Sequence, residues 1–215
     1  MDCIPRECVG TNRIKFTPRP ARGLDFWCLL VEPSSRDGVN ATIYNLRVDL
    51  ADIDRGIYET VEICVPRHPS ETIEYMFMRV VAYCLEYRDG IELTQGVAAG
   101  NEPAVLIRDL TGRITAWIEV GMPDADRLHR GLKLAGRAAV YTHRDVQKLL
   151  AQLSSANIER LATVPVYDFD RAFVDEVAGL LERRSDLSIS ITERELYIEI
   201  RGRTFTTTIA EHHAG

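Results

Sequence analysis

Long apolar runs are missing from this 215-residue chain, and no stretch approaches the roughly 20 residues that a membrane-spanning helix needs. The N-terminus lacks the charged, apolar, small-residue order of a secretory signal. A cytoplasmic protein with no membrane partner is expected. Paired cysteines are lacking too. The five present, Cys3, Cys8, Cys28, Cys64 and Cys84, are odd in number and irregularly spaced, with no C-x-x-C or Cys/His ligand set. Reduced thiols follow, with Cys64 and Cys84 expected in the core. Positive charge is in deficit: a formal net charge of −6 argues against a generalised coat for nucleic acid, whose phosphates draw Lys and Arg, but leaves room for a local basic cleft. Internal repeats and low-complexity tracts are absent.

What is present has an ordinary globular composition, 46% hydrophobic and 27% charged, in a length that fits one domain. Residues 1–38 carry Pro5, Pro18, Pro20 and Pro33 and no sustained period, and read as a disordered or loosely attached extension. Regular patterning begins at Val39, so residues 39–215 read as a single domain. Residues 41–50 and 58–65 alternate like an antiparallel strand pair joined through 52–56. Pro69 and Ser70 then open a helix with Glu71 and Glu74 in its first turns and Ile73, Phe77, Val80, Val81 and Cys84 on one face. It ends near Gly90. A short strand at 91–94 precedes a hairpin, and a second helix starts at Pro123–Asp126 with Leu128, Leu132 and Leu134 as its apolar face. A strand at 138–142, a helix at 145–154, a strand at 162–167, a helix at 171–183 and strands at 188–191, 196–200 and 205–209 complete the chain. This order predicts an α/β (α+β) protein, a mixed sheet flanked by helices with additional antiparallel strands at both ends.

The hairpin carries the chemistry. Asn101-Glu102-Pro103 leads one apolar run, 104–108, and Ile114–Ile118 leads into Glu119-Val120-Gly121. With Thr111 and Gly112 as the loop, Ala104 opposes Glu119 and Glu102 opposes Gly121, so Glu102 and Glu119 become diagonal neighbours about 7 Å apart on one face. Two carboxylates at that spacing suit a hard cation such as Mg²⁺; two solvated glutamates on an open sheet face would leave the same pattern. Downstream, Arg127, Arg130, Lys133 and Arg137 recur every three or four residues, as a nucleic-acid-binding stripe or as a solvated basic face. Asp109 falls on the opposite face from Glu102 and suits a turn. His212-His213 are adjacent residues in a tail with no expected anchor and make a poor metal pair, and Cys64 has no base near it in sequence.

Residues 41–44, Asp52-Ile53-Asp54-Arg55, Arg67-His68-Pro69-Ser70-Glu71-Thr72, Asn101-Glu102-Pro103 and Trp117-Ile118-Glu119-Val120-Gly121-Met122-Pro123-Asp124 together closely resemble the bacterial YaeQ family, from about Ala41 to the C-terminus. That family resembles the PD-(D/E)xK nucleases in fold, which implies a restriction-endonuclease-like core and Mg²⁺. Family members start just before Ala41, so translation is expected to begin at Val39 from a non-AUG codon. By the same resemblance Glu102 and Glu119 take the positions of the two metal-binding acids and Glu74 that of a further acid from the first helix. Glu71 is the other candidate for that acid, with stabilising the helix N-terminus as its plainer role, and His68 either approaches the site or simply bounds the helix. The usual lysine position is Gly121, a departure. Arg130, then Lys133, are the nearest substitutes for the missing cation, and Arg favours charge stabilisation over proton transfer. Two functions follow: a Mg²⁺-dependent phosphodiesterase acting on nucleic acid, or a nuclease-like fold that no longer cleaves and binds nucleic acid or protein. No motif reads bases.

Overall fold

The alternation at the front of the domain becomes a long hairpin. In a computed structural model that describes residues 41–96 and 102–214, β1 (Thr42–Asp52) and β2 (Ile57–Arg67) pair antiparallel without a slip from Thr42↔Arg67 to Asp52↔Ile57. Tyr44, Leu46, Val48 and Leu50 point inward, as a period of two requires. Asp52 fixes the turn by accepting from the Arg55 backbone N–H at 3.0 Å and side-chain Nε at 2.5 Å. Cys64 lies on the outward face of β2 and is exposed, whereas Cys84 is buried. The thiol expected in the core at Cys64 therefore faces out, because its inward neighbours are Ile63 and Val65.

Helix α1 (Ile73–Leu85) begins later than Pro69–Ser70 would place it, since Thr72 is its N-cap and accepts from the Tyr75 N–H at 3.2 Å. Glu71 lies ahead of that cap, in a turn closed by its own N–H on His68 O at 2.9 Å. Its side chain is fully buried opposite an equally buried Arg79. It is an interior ion-pair partner, not a first-turn dipole stabiliser.

Next come β3 (Ile91–Leu93), β4 (Val105–Arg108), β5 (Ile114–Val120), α2 (Ala125–Ala135), β6 (Ala138–Thr142) and α3 (Val146–Ser155). A 3-10 segment, Glu159–Thr163, and β7 (Val166–Asp168) replace the single strand expected over 162–167. Leu161 and Val164 are both buried in one cluster, and side chains three apart reach the same side from a 3-10 turn but not from a strand. Helix α4 (Arg171–Ala178) stops short of Arg183, with Gly179 as its C-cap; β8 (Arg184–Thr192), β9 (Glu195–Ile200), β10 (Arg203–Thr208) and β11 (Ala210–His212) follow. His212 lies on β11, paired with β7, so the tail is anchored after all.

The strands form two sheets, β10-β9-β8-β1-β2 and β11-β7-β6-β5-β4-β3. The strands expected as separate additions at the two ends of the domain thus share one sheet, through parallel pairing of β1 with β8. One core joins residues of both sheets with α1 and α4; a second packs α2, α3 and the 3-10 segment on the six-stranded sheet. Alternation on β5 assigns Ala116, Ile118 and Val120 to the first core and Trp117 to the second. Leu134 is 55% exposed, so α2 buries Leu128, Leu132 and Ala135 instead. No helix among the described residues is long and apolar enough to cross a membrane.

Candidate functional site

The pairs Val105↔Ile118, Leu106↔Trp117 and Ile107↔Ala116 carry the register that puts Ala104 opposite Glu119, with an irregularity at Arg108. The turn is wider than Thr111-Gly112: Asp109 N–H donates to Arg113 O at 2.9 Å, and Asp109 Oδ1 accepts from Thr111 N, Thr111 Oγ1 and Arg113 N. Asp109 therefore takes the turn role, and these donors hold its carboxyl below the ordinary value. Glu102 is exposed and lies before β4 begins, outside the paired strand; Asn101 lies outside the described residues.

Glu119 shares the face of Trp117, toward α2 and away from α1. It is 3% exposed, and its Oε1 accepts from Trp117 Nε1 at 2.7 Å and from Arg127 Nε at 2.6 Å. A second arm of the same guanidinium, Arg127 Nη2, donates to the backbone carbonyl of Glu102. Arg127 thus ties the two halves of the expected acid pair together through one carboxylate and one carbonyl. Burial pushes the Glu119 carboxyl above its ordinary value, against the opposing pull of Arg127 and Trp117. Asp124 positions the arginine by capping α2, accepting from Arg127 N–H at 2.8 Å.

Glu74, from α1, has other neighbours. Burial opposes its charge, but its own backbone N–H, the Thr72 hydroxyl, His143 and Arg144 bring its carboxyl below the ordinary value. No group of three or more His, Cys, Asp or Glu among the described residues is placed to hold a metal ion. With the Glu119 oxygen already bonded to a guanidinium, these donors do not fit Mg²⁺, which takes oxygen ligands and its own waters.

At the position where the nuclease resemblance expects a lysine, the backbone favours glycine. Alternation ends at Val120, and Gly121 adopts φ +84°, with its N–H on Tyr141 O at 2.9 Å. A side chain there is strained on its backbone and would start against the Tyr75 ring, 3.8 Å from its Cβ. The basic stripe divides as well. Arg137 follows the Gly136 C-cap and grips Glu86 with two bonds, at 2.9 and 2.6 Å, beside the Tyr141 hydroxyl at 2.9 Å. Arg130 and Lys133 are exposed on the outer side of α2. His68 bonds Ser70 in the turn before α1.

Strands β5, β6 and β7 run parallel, so their carboxyl ends share one edge, the usual place for a ligand in an open α/β sheet. There a crevice of about 520 Å³ is lined by Tyr75, Glu119, Gly121, Asp124, Arg127 and Arg144. Tyr75 and Arg144 gave no signal in the sequence; the parallel pairing of β5 with β6 brings residues 119 and 144 to one edge, and the packing of α1 on β5 adds Tyr75. Burial pushes the Tyr75 hydroxyl up to about 12, with Glu119 among its charged neighbours.

The YaeQ protein family model matches residues 38–209. The chain belongs to the YaeQ family. The uncharacterized protein YaeQ of Escherichia coli (strain K12) is 29% identical over 162 residues, covering 74% of this chain and 89% of that relative. The crystal structure of YaeQ protein from Pseudomonas syringae superposes with a TM-score of 0.75 at 28% identity, over 81% of this chain and 98% of that one. YaeQ protein from Xanthomonas axonopodis pv. citri gives 0.74 at 25% identity, over 82% and 100%. The two-sheet mixed α/β architecture is thus a YaeQ fold.

Proposed function

We propose that the protein is a nuclease-like module that binds the phosphodiester backbone of nucleic acid without cleaving it, with Arg127 supplying the positive charge that Mg²⁺ supplies in PD-(D/E)xK nucleases. The supporting observation is the 2.6 Å contact of Arg127 Nε with the buried Glu119 carboxylate, which places an internal cation against the second acid of the motif. A guanidinium is a permanent charge whose fork matches phosphate oxygens, and it is a poor group for moving a proton. Exposed Arg144 adds a second charge at the lip and Tyr75 a ring on which a base can stack.

Labelled single- and double-stranded DNA and RNA, read by fluorescence anisotropy with and without Mg²⁺ or Mn²⁺, test this reading. Binding is expected to weaken as salt rises. Arg144→Ala should lower affinity on the order of tenfold, the value of one charge-assisted hydrogen bond. Intact substrate should remain after long incubation with either metal. Cleavage that needs the metal and is lost in Glu119→Ala would overturn the proposal in favour of a Mg²⁺-dependent phosphodiesterase using Glu102 and Glu119.

A further inference from the structure

The buried carboxylates of Asp52, Glu71, Glu86 and Glu119 each meet an arginine. His143 departs from that pattern: it is only 4% exposed, its Nδ1 is buried without a hydrogen bond, and neither ring nitrogen is bonded among the described residues. A buried imidazole whose Nδ1 is sealed off without a partner carries a desolvation cost, and the ring lines a crevice from which a ligand can meet its other nitrogen.

His143 follows β6 and lines a second crevice of about 600 Å³ with Arg144, Lys148, Asp168, Asp170 and Arg171. Helices α3 and α4 both start at this crevice, with Asp145 and Asp170 as N-caps. Those two carboxylates are committed to their own helices, accepting from Lys148 N–H at 2.9 Å and Phe173 N–H at 2.8 Å. Arg171 leans on Asp175 at 3.5 Å, and Asp168 sits half-buried at the end of β7. Arg144 and Lys148 are exposed at the rim. Two helix N-termini and two rim cations therefore converge above the unsatisfied imidazole, an arrangement that favours a compact anion with several acceptor oxygens. Arg144 and Met122 line this crevice and the first one alike, so the two are adjacent along the same sheet edge.

We propose that the second crevice is a pocket for a phosphate monoester, the group that ends a nucleic-acid strand or a mononucleotide. His143 meets it from the floor while Arg144 and Lys148 close on it from the rim. The strand as source rests on the reading of the first crevice as a phosphodiester site; the pocket itself does not. A chain lying in the first crevice would pass Arg144 and present its terminal phosphate to His143.

Short labelled oligonucleotides ending in a 5′-phosphate, a 3′-phosphate or hydroxyls only would be titrated against the full chain. One phosphorylated end should bind about tenfold more tightly, or better, than the hydroxyl form. Lys148→Ala, an exposed change, and His143→Ala should both bring the two forms to equal affinity. Equal affinities in the unsubstituted protein would overturn the pocket and leave backbone binding standing. Proton–nitrogen spectra of the His143 ring with a nucleoside monophosphate or inorganic phosphate supply the second arm. A saturable shift without any oligonucleotide binding would assign the pocket to free nucleotides and refute the backbone reading instead. No shift with any of these probes would overturn the pocket.

Discussion

Gly131 ties the packing of α2 to the chemistry of Glu119, and Gly131→Ala tests that tie. A Cβ at this position would lie 2.3 Å from Trp117 Cγ, with Cδ1 and Cδ2 at 2.4 and 2.5 Å. Helix propensity alone favours the substitution, by about 1 kcal/mol for an interior Gly→Ala change. Packing opposes it. Trp117 is only 5% exposed, so either the ring moves or the helix lifts from β5, a strain of roughly 1–3 kcal/mol. Moving the ring also breaks the 2.7 Å bond from Trp117 Nε1 to the buried Glu119, whose loss costs about 1.5–3 kcal/mol for a charged acceptor. The net expectation is destabilisation by roughly 2–4 kcal/mol, a fall in Tm on the order of 5–15 °C for a domain of this size. Urea and thermal unfolding followed by circular dichroism would measure it. Placing Gly131→Ala in a Trp117→Leu background should shrink its cost, because the smaller side chain vacates the space the methyl needs. A Gly131→Ala protein as stable as the original, or more stable, refutes the close packing and with it the coupling of α2 to the Glu119 carboxylate.

Two further perturbations address the buried charges. Arg79 donates to Glu71 Oε2 and Pro66 O, each at 3.4 Å, and to Thr94 O, and both members of the ion pair have fully buried side chains. Arg79→Met should cost about 3–5 kcal/mol in urea unfolding, with part of the loss recovered in Arg79→Met/Glu71→Gln; a single variant no less stable than the original contradicts the pairing. Glu119 makes a statement about pH. Its carboxyl is raised above the ordinary 4.5 in the folded state, so folding holds that proton more tightly than the unfolded chain does. The resulting stability is full below about 4.5 and is lost as pH rises through the folded value. Glu119→Gln should remove that loss, so the original protein declines relative to the variant as pH climbs from acid toward neutral; a decline in the opposite sense rejects burial as the dominant influence on this group.

How much of this was legible in the sequence depends on how far apart the partners lie. Period-two alternation in 104–108 and 114–118 carried the hairpin register, and Val105↔Ile118 and Leu106↔Trp117 pair in it. The same rule failed one residue past the end of β5, at Gly121, because a left-handed backbone ends alternation and nothing in the letters Glu-Val-Gly says so. Helical periodicity found the stripe Arg127, Arg130, Lys133 and Arg137 but not which members turn inward. That choice is made by the Asp124 cap, which sets the phase of α2, and by Gly131, which lets Trp117 approach. The start of α1 misled for a related reason: Pro69 and Ser70 are good helix openers, but burying the Glu71–Arg79 pair leaves the capping to Thr72.

The four buried acids put this in order. Asp52 meets Arg55 three residues on, within reach of a turn rule; Glu71 meets Arg79 and Glu119 meets Arg127 eight residues on, each across an element boundary; Glu86 meets Arg137 at a separation of 51. Spacing reveals the first of these pairs and none of the others. Glu119 read in isolation is therefore an acid in search of a cation, and the resemblance to nucleases supplies Mg²⁺ for it. In the folded chain the cation is an arginine, and what sets Glu119 apart from the other three is its place in a crevice at the carboxyl ends of parallel strands. In the proposed phosphodiester-binding mode this ion pair, open to a ligand on one side, passes its arginine to the incoming phosphate while the carboxylate left behind takes up a proton. The raised affinity of Glu119 for that proton lowers the cost of the exchange.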